Sequence, residues 1–551
     1  MNTKNLLLLL IITICIYFLG MNIPVMDIDA GQYAGMSREM LERGDFLHVY
    51  DYGTDYLDKP PFLFWINAAT MWIFGANNFS FRFPSILFAI LAVYATYRFA
   101  LIYYSRTFAS IAAMVLATSQ AVFLITHDIR TDTILMGFVI TTVWQMAEWY
   151  RTKHLLNFII AFICIGGGML TKGPIALFVP VFAFGSHFIL KGEFKNLFRW
   201  HYILGLIIIA LVLLPMSIGL YQQFDLHPEK LVNGKHNVNG LRFFYWTQSF
   251  GRITGESEWN NHAGFFFLLQ NMLWALLPWI LFFLASFVNI TIGLIRNRLR
   301  PEKSEEIITY GGFLITYCSL ALSKYQLPHY IFVVFPFAAI IATRLIYALS
   351  WQHKNRGMYR TFYFSHAVIF SLLLVVANVL VLYSFPENSL FVKIFAVLVT
   401  LVFFYFLIFN KSWRPKLIYL GIVTAICLNL ILHTGFYPAL LKYQAGSETG
   451  KWVKKNKIPN DQFVVFDYET SRSLNFYAGR NVPIIHDPRS LKPGIQLITG
   501  QEGRSVLDSL HAKYVVIEQK QNFPVTLLDM GFLNPYTREK EVEPYYIIKI
   551  L

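Results

Sequence analysis

Stretches of about twenty apolar residues recur from Leu6 to His433, and such a stretch has one stable home, a helix across the hydrocarbon core of a bilayer. Roughly thirteen can be delimited on that length criterion. They lie near Leu6–Ile23, Pro84–Tyr104, Phe108–Ile125, Thr133–Tyr150, Leu155–Leu170, Ile175–Leu190, Tyr202–Tyr221, Phe265–Ile295, Ile307–Leu322, Tyr330–Ser350, Thr361–Phe385, Leu390–Phe409 and Leu417–His433. No small-x-small cleavage pattern follows the first of them before Asp27, so it reads as an anchor helix and not as a signal peptide.

The loops between the segments set an orientation. With Lys4 in the cytoplasm, every loop that falls on the same side is basic: Arg98 and Arg106; Arg151 and Lys153; Lys191, Lys195 and Arg199; Arg296, Arg298, Arg300 and Lys303; Lys354, Arg356 and Arg360; Lys411, Arg414 and Lys416. An odd number of spans then places the C-terminal part outside. This alternation also accounts for the net charge of +14, so no nucleic-acid partner is implied. Cys15, Cys164, Cys318 and Cys427 all fall inside apolar segments without ligand spacing, which predicts neither a disulfide nor a metal site from them.

The fold class expected is mainly α. A polytopic transmembrane helical bundle covers residues 1–433, with long outward loops at 24–83 and 222–264, and an extracytoplasmic α/β domain follows over 434–551. In the first loop Tyr33–Leu41 has apolar residues at helical spacing with Gly44 placed to end it, and reads as a helix lying along the interface. Pro60-Pro61 then opens a second interfacial helix over Phe62–Phe74. After His433, Phe463–Phe466, Tyr514–Ile517 and Tyr545–Leu551 read as buried strands, with helical stretches at Gly446–Asn456 and Gly503–Leu510. No phosphate-binding glycine loop occurs there.

Outward loops should be poor in Lys and Arg. Yet Arg38, Lys59, Arg82, Arg130, Lys172, Arg252 and Lys324 all sit near predicted outer boundaries. Snorkelling or pairing with carboxylates explains any one of them; an anionic substrate group at the outer surface explains the set. Asp27, Asp29, Asp58, Asp128 and Asp132 lie in the same layer, and a carboxylate there can act as general base on a hydroxyl. The D-x-D spacing of Asp27 and Asp29 is also that of metal–sugar-phosphate sites, so a divalent metal is an open alternative to a reaction that requires no cofactor. Asp29 has a structural alternative as well, a cap on the helix after it. His127, His262 and His329 read as backbone-bonded histidines before they read as zinc ligands.

Several of these stretches, in order, resemble the integral-membrane glycosyltransferases that use polyprenyl-phosphate sugars. They are Asp29 with Tyr33-Ala34 and Ser37-Arg38-Glu39-Met40-Leu41, Asp58-Lys59-Pro60-Pro61 with Trp65, Arg82-Phe83-Pro84-Ser85, Arg130-Thr131-Asp132, Thr171-Lys172-Gly173-Pro174, Phe250-Gly251-Arg252, and Ser323-Lys324-Tyr325-Gln326-Leu327-Pro328-His329-Tyr330. The lipid A aminoarabinose transferases are the nearest branch and the protein O-mannosyltransferases a more distant one. The resemblance implies a GT-C fold in the bacterial cytoplasmic membrane. It implies transfer, at the outer face, of a sugar such as 4-amino-4-deoxy-L-arabinose from a polyprenyl phosphate to a lipid A, other glycolipid or protein acceptor; in-line attack on the anomeric carbon predicts inversion. Asp29 would then be the base and Asp132 a second acidic residue. Lys59 and Arg252 would bind the donor phosphate and Tyr330 would line its site. Asp27, Arg82, Arg130, Lys172 and Lys324 complete the expected substrate-binding set. The chain departs from the pattern at Ala30, where the family has Glu, and at Gln32, where it has Arg. The competing class is a flippase or transporter of lipid-linked sugars. Transporters place their charges near the bilayer midplane, whereas here the charges lie in boundary loops.

Overall fold

The structure is a computed structural model that describes residues 3–254, 256, 260–302, 305–352, 355–409, 416–467 and 471–551. Every one of the thirteen apolar segments is helical. Among the described residues eight helices are long and apolar enough to cross a membrane, and the bent pair Arg106–Ala117 and Gln120–His127, at 52°, makes a ninth. The other four segments fall short for visible reasons. Ile175–Lys191 and Ile308–Ala321 are shorter, and Thr131–Thr152 carries Asp132 and Glu148. The long segment Phe265–Ile295 is two helices, Phe267–Ala275 and Ile280–Arg296. The chain is an integral membrane protein.

The helix expected along the interface is Asp29–Arg43, closed by Gly44 at φ +67°. It is enclosed by protein. Residues Ala30–Met40, apart from Gln32, are buried on all sides, Arg38 and Glu39 among them. It packs between the Phe62–Phe74 helix and a helix of the C-terminal region, Arg472–Ala478. The Phe62–Phe74 helix does expose Trp72, Ile73 and Phe74 at its far end. Its near end is fixed by rings: Phe62 lies 6.1 Å from Phe88 and 5.2 Å from Phe138, centroid to centroid. Such edge-to-face contacts add to burial, and they set where Lys59-Pro60-Pro61 can lie. A two-residue hairpin, β1 (Tyr50–Asp51) with β2 (Thr54–Asp55), sits between the two helices. Gln223, at the start of the second outward loop, ties that loop to the first by bonding the Val49 backbone at 3.1 and 2.9 Å and the Asp55 carboxylate at 2.7 Å.

The last apolar helix continues past His433 to Tyr443. Beyond it lies a five-stranded sheet of β3 (Phe463–Phe466), β4 (Ile484–Ile485), β5 (Gln496–Thr499), β6 (Tyr514–Asn522) and β7 (Glu543–Ile550), in the order β4-β3-β5-β7-β6. The first three strands are parallel and β7 runs antiparallel to both its neighbours. The helices Ala445–Lys455 and Gln501–Ser509 accompany it. β6 is an edge strand, so Val515, Val516 and Ile517 are exposed where the apolar run suggested a buried strand.

Candidate functional site

Asp29 is the first residue of its helix, and the residue before it, Ile28, offers no side-chain cap. Its carboxylate is instead ion-paired with Arg130 Nη1. Arg130 sits between the Gln120–His127 and Thr131–Thr152 helices and also holds Asp128 at 3.1 Å. Burial draws the Arg130 guanidinium below its usual pKa, while Asp132 favours its charged form. Asp132, the second residue of the Thr131–Thr152 helix, is 1% exposed, and its Oδ1 accepts from Lys172 Nζ at 2.5 Å. His329 Nε2 stands 3.7 Å from the other oxygen. Lys172 Nζ also lies 4.0 Å from the centroid of the Tyr330 ring. Asp29, Arg130, Asp132, Lys172 and Tyr330 therefore form one run of alternating charge ending on an aromatic face.

That run opens on a cavity of about 260 Å³. Lys59, Lys172 and Tyr330 line it, with Gln248 and Ser249 from the second outward loop; the remaining wall is largely apolar, including Leu135, Ile175, Phe178, Phe182 and Phe250. Gln248 donates to the Asp58 carbonyl, which joins the loop to the Lys59 segment. Helix ends and loops distant in sequence thus bring Lys59, Lys172 and Tyr330 to one place.

Arg82, Lys324 and Asp27 do not line this cavity. Arg82 is fully buried and serves as a backbone staple: it donates to the carbonyls of His127 at 2.9 Å and Pro24 at 3.0 Å, with longer contacts to Asn78 and Met21. Lys324 is exposed beside the cavity, whose wall is formed by its neighbour Ser323. Arg252 belongs to the short helix Gly251–Thr254, and its side chain lies outside the described residues.

Asp27 faces away from Asp29. It accepts from Ser471 Oγ at 2.5 Å, Ser473 Oγ at 2.8 Å and the Ser473 amide at 2.8 Å. Burial raises its carboxyl pKa, and these hydrogen bonds and Arg472 oppose the rise. Beside it Arg472 donates to Asp51 at 2.7 Å, and Gln32 donates to the same oxygen at 2.8 Å. Arg38 reaches the Asn475 carbonyl at 2.9 Å and Asn481 Oδ1 at 2.8 Å. The C-terminal region therefore clasps the opening loop at several places. The D-x-D pair is split by this arrangement, and among the described residues no group of three or more His, Cys, Asp or Glu converges to hold a metal ion. His127 hydrogen-bonds the Phe123 backbone at 3.0 Å, as expected, whereas the approach of His329 to Asp132 had no local signal.

A family model described as dolichyl-phosphate-mannose-protein mannosyltransferase matches residues 58–218, the stretch that holds Lys59, Asp132 and Lys172. The crystal structure of ArnT from Cupriavidus metallidurans bound to undecaprenyl phosphate superposes with a TM-score of 0.75 at 14% identity, covering 99% of this chain and 98% of that one. The chain has the fold of this ArnT structure, the GT-C fold. A second GT-C structure, the oligosaccharyltransferase of Archaeoglobus fulgidus in its apo form, matches with a TM-score of 0.53 at 14% identity over 94% of this chain and 70% of that one. Among curated relatives, the undecaprenyl phosphate-alpha-4-amino-4-deoxy-L-arabinose arabinosyl transferase of Erwinia tasmaniensis is 27% identical over 57% of this chain and 54% of its own length. The protein of the same name from Edwardsiella ictaluri is 27% identical over 59% and 56%. The chain thus spans just over half the length of these curated relatives.

Proposed function

We propose that the protein is an inverting glycosyltransferase of the bacterial inner membrane that takes a sugar from a polyprenyl-phosphate donor at the outer face. The observation that carries the reading is the cavity shared by Lys59, Lys172 and Tyr330, which joins two cations to an apolar wall. A phosphate on an isoprenoid is the ligand with that pair of properties. The donor is a phosphodiester with one negative charge, and breaking the sugar–oxygen bond leaves a monoester that gains a second. Lysines at those oxygens stabilise the transition state more than the ground state. The acceptor oxygen attacks the anomeric carbon from the opposite side, and Asp29 takes its proton. Asp132 holds Lys172 in place for the donor phosphate. The cavity accommodates the phosphate and first isoprene units, and the rest of the tail lies among the helices. The relatives' names support an aminopentose as the sugar. The N-terminus is cytoplasmic and the C-terminal domain extracytoplasmic in this reading, and no divalent metal takes part.

The test is Lys59→Ala. Losing one charge-assisted contact should weaken binding of undecaprenyl phosphate by about 1.5–3 kcal/mol, with the protein still inserting and purifying normally. Binding as tight as wild type removes Lys59 from the donor site.

A further inference from the structure

A second and larger cavity, about 990 Å³, lies between the opening loop and the C-terminal domain. That is the upper end of the range for small-molecule sites. Its wall includes Asp27 and Ile28, the residues just before Asp29. It is more polar than the first cavity. Asn481 and Asn522, both in its wall, accept with their side-chain oxygens from Arg38 at 2.8 Å and from the Ala445 amide at 3.2 Å. Each carbonyl being taken, the amide orientation is set and the NH2 group is what remains to offer a ligand. Tyr52, Phe523 and Val525 supply apolar faces beside them.

The charges decide the ligand's class. Among the described lining residues they are Asp27, Asp51 and Arg472, one negative in sum. The single guanidinium is already engaged by Asp51 at 2.7 Å. A phosphate would meet two carboxylates and no uncommitted cation. A polyol meets amide donors for its oxygens, carboxylate acceptors for its hydroxyls and carbon faces for its ring.

We infer that this cavity receives an uncharged saccharide headgroup beside the loop that carries Asp29.

The test uses the full chain in nanodiscs, with lactose as the probe, empty nanodiscs as the blank and saturation-transfer NMR as the readout. Thr526→Trp and Ile484→Trp fill the cavity from two exposed positions on its wall. Lactose should bind the wild type, bind each variant at least tenfold more weakly, and resist displacement by an equal concentration of inorganic phosphate. Affinity for undecaprenyl phosphate should be the same in all three proteins. No lactose binding, binding untouched by both variants, displacement by phosphate, or competition by a Ser/Thr-rich peptide with no lactose binding each overturns the inference. Loss of undecaprenyl phosphate binding in Lys59→Ala with lactose binding retained separates the two sites. Normal turnover in Asp29→Asn with lactose still bound fails the base assignment and not the cavity.

Discussion

Asp29→Asn tests the proposed base apart from the structure around it. The substitution keeps size and removes only the proton-accepting charge. Its structural cost is small. Asp29 is 37% exposed, so its pair with Arg130 is solvent-screened and worth within about 1 kcal/mol. Arg130 keeps Asp128 at 3.1 Å, so no cation is left stranded. Melting should move by no more than a few degrees, on the order of the shift that 1 kcal/mol produces in a chain this large. Losing a general base costs about 10²–10⁴ in rate, which is about 3–5 kcal/mol of barrier. The assay is turnover of an undecaprenyl-phosphate sugar by purified protein, with undecaprenyl phosphate affinity and melting measured on the same preparation. Turnover should fall at least a hundredfold, with undecaprenyl phosphate affinity unchanged and melting within those few degrees. Near-normal turnover would refute the assignment and pass the role to Asp132. Asp27→Asn gives the contrast, with its larger effect in stability, because it disturbs the hydrogen bonds from Ser471 and Ser473.

Further outcomes follow from the same geometry. Lys172→Ala leaves Asp132 buried with its ion pair gone, and should destabilise by about 3–5 kcal/mol; Lys172→Ala with Asp132→Asn should recover much of the melting temperature, and no recovery would mean the pair is not the cause. Asp27 has its pKa raised by burial, so it favours the folded state below the ordinary Asp value near about 4 and that contribution is lost as pH rises through the folded value. Asp27→Asn should therefore flatten the melting profile just above that pH, and an unchanged profile would show that another group sets it. Activity should survive exhaustive chelation; abolition by a chelator and rescue by one divalent ion would make a metal part of the chemistry. A reporter active only outside the cytoplasm should work when fused at Lys451 and stay silent at Arg300, and the reverse pattern would invert the topology.

Lys59, Lys172 and Tyr330 were legible in the sequence because two lysines opposed the charge rule for outer loops and all three fell in motif-like stretches. Arg82 gave the same signal and ended as a staple. A sequence shows that a guanidinium sits at a boundary but not whether carbonyls of a neighbouring turn reach it first. Asp27 illustrates a different limit. Its partners, Ser471 and Ser473, lie over four hundred residues away, and no local pattern predicts a contact at that separation. The missing motif residues are similar. Gln32 stands where an arginine was expected, yet the carboxylate it bonds, Asp51, receives Arg472 from the C-terminal domain. The helices were readable because lipid imposes their length. The edge position of β6 was not, because Val515–Ile517 has the same alternation-free apolar run whether one face or both are covered.

The clasp between the opening loop and residues 471–481 has a consequence for timing. A ribosome makes Asp29 early and the residues that fix its neighbours only after the apolar helices have been threaded into the bilayer. Until then the loop has no Ser473 for Asp27 and no Arg472 for Asp51. The nascent chain therefore passes through insertion with Asp27 and Asp51 lacking these partners and the larger cavity unfinished, and both are completed only once the region beyond the last helix has folded.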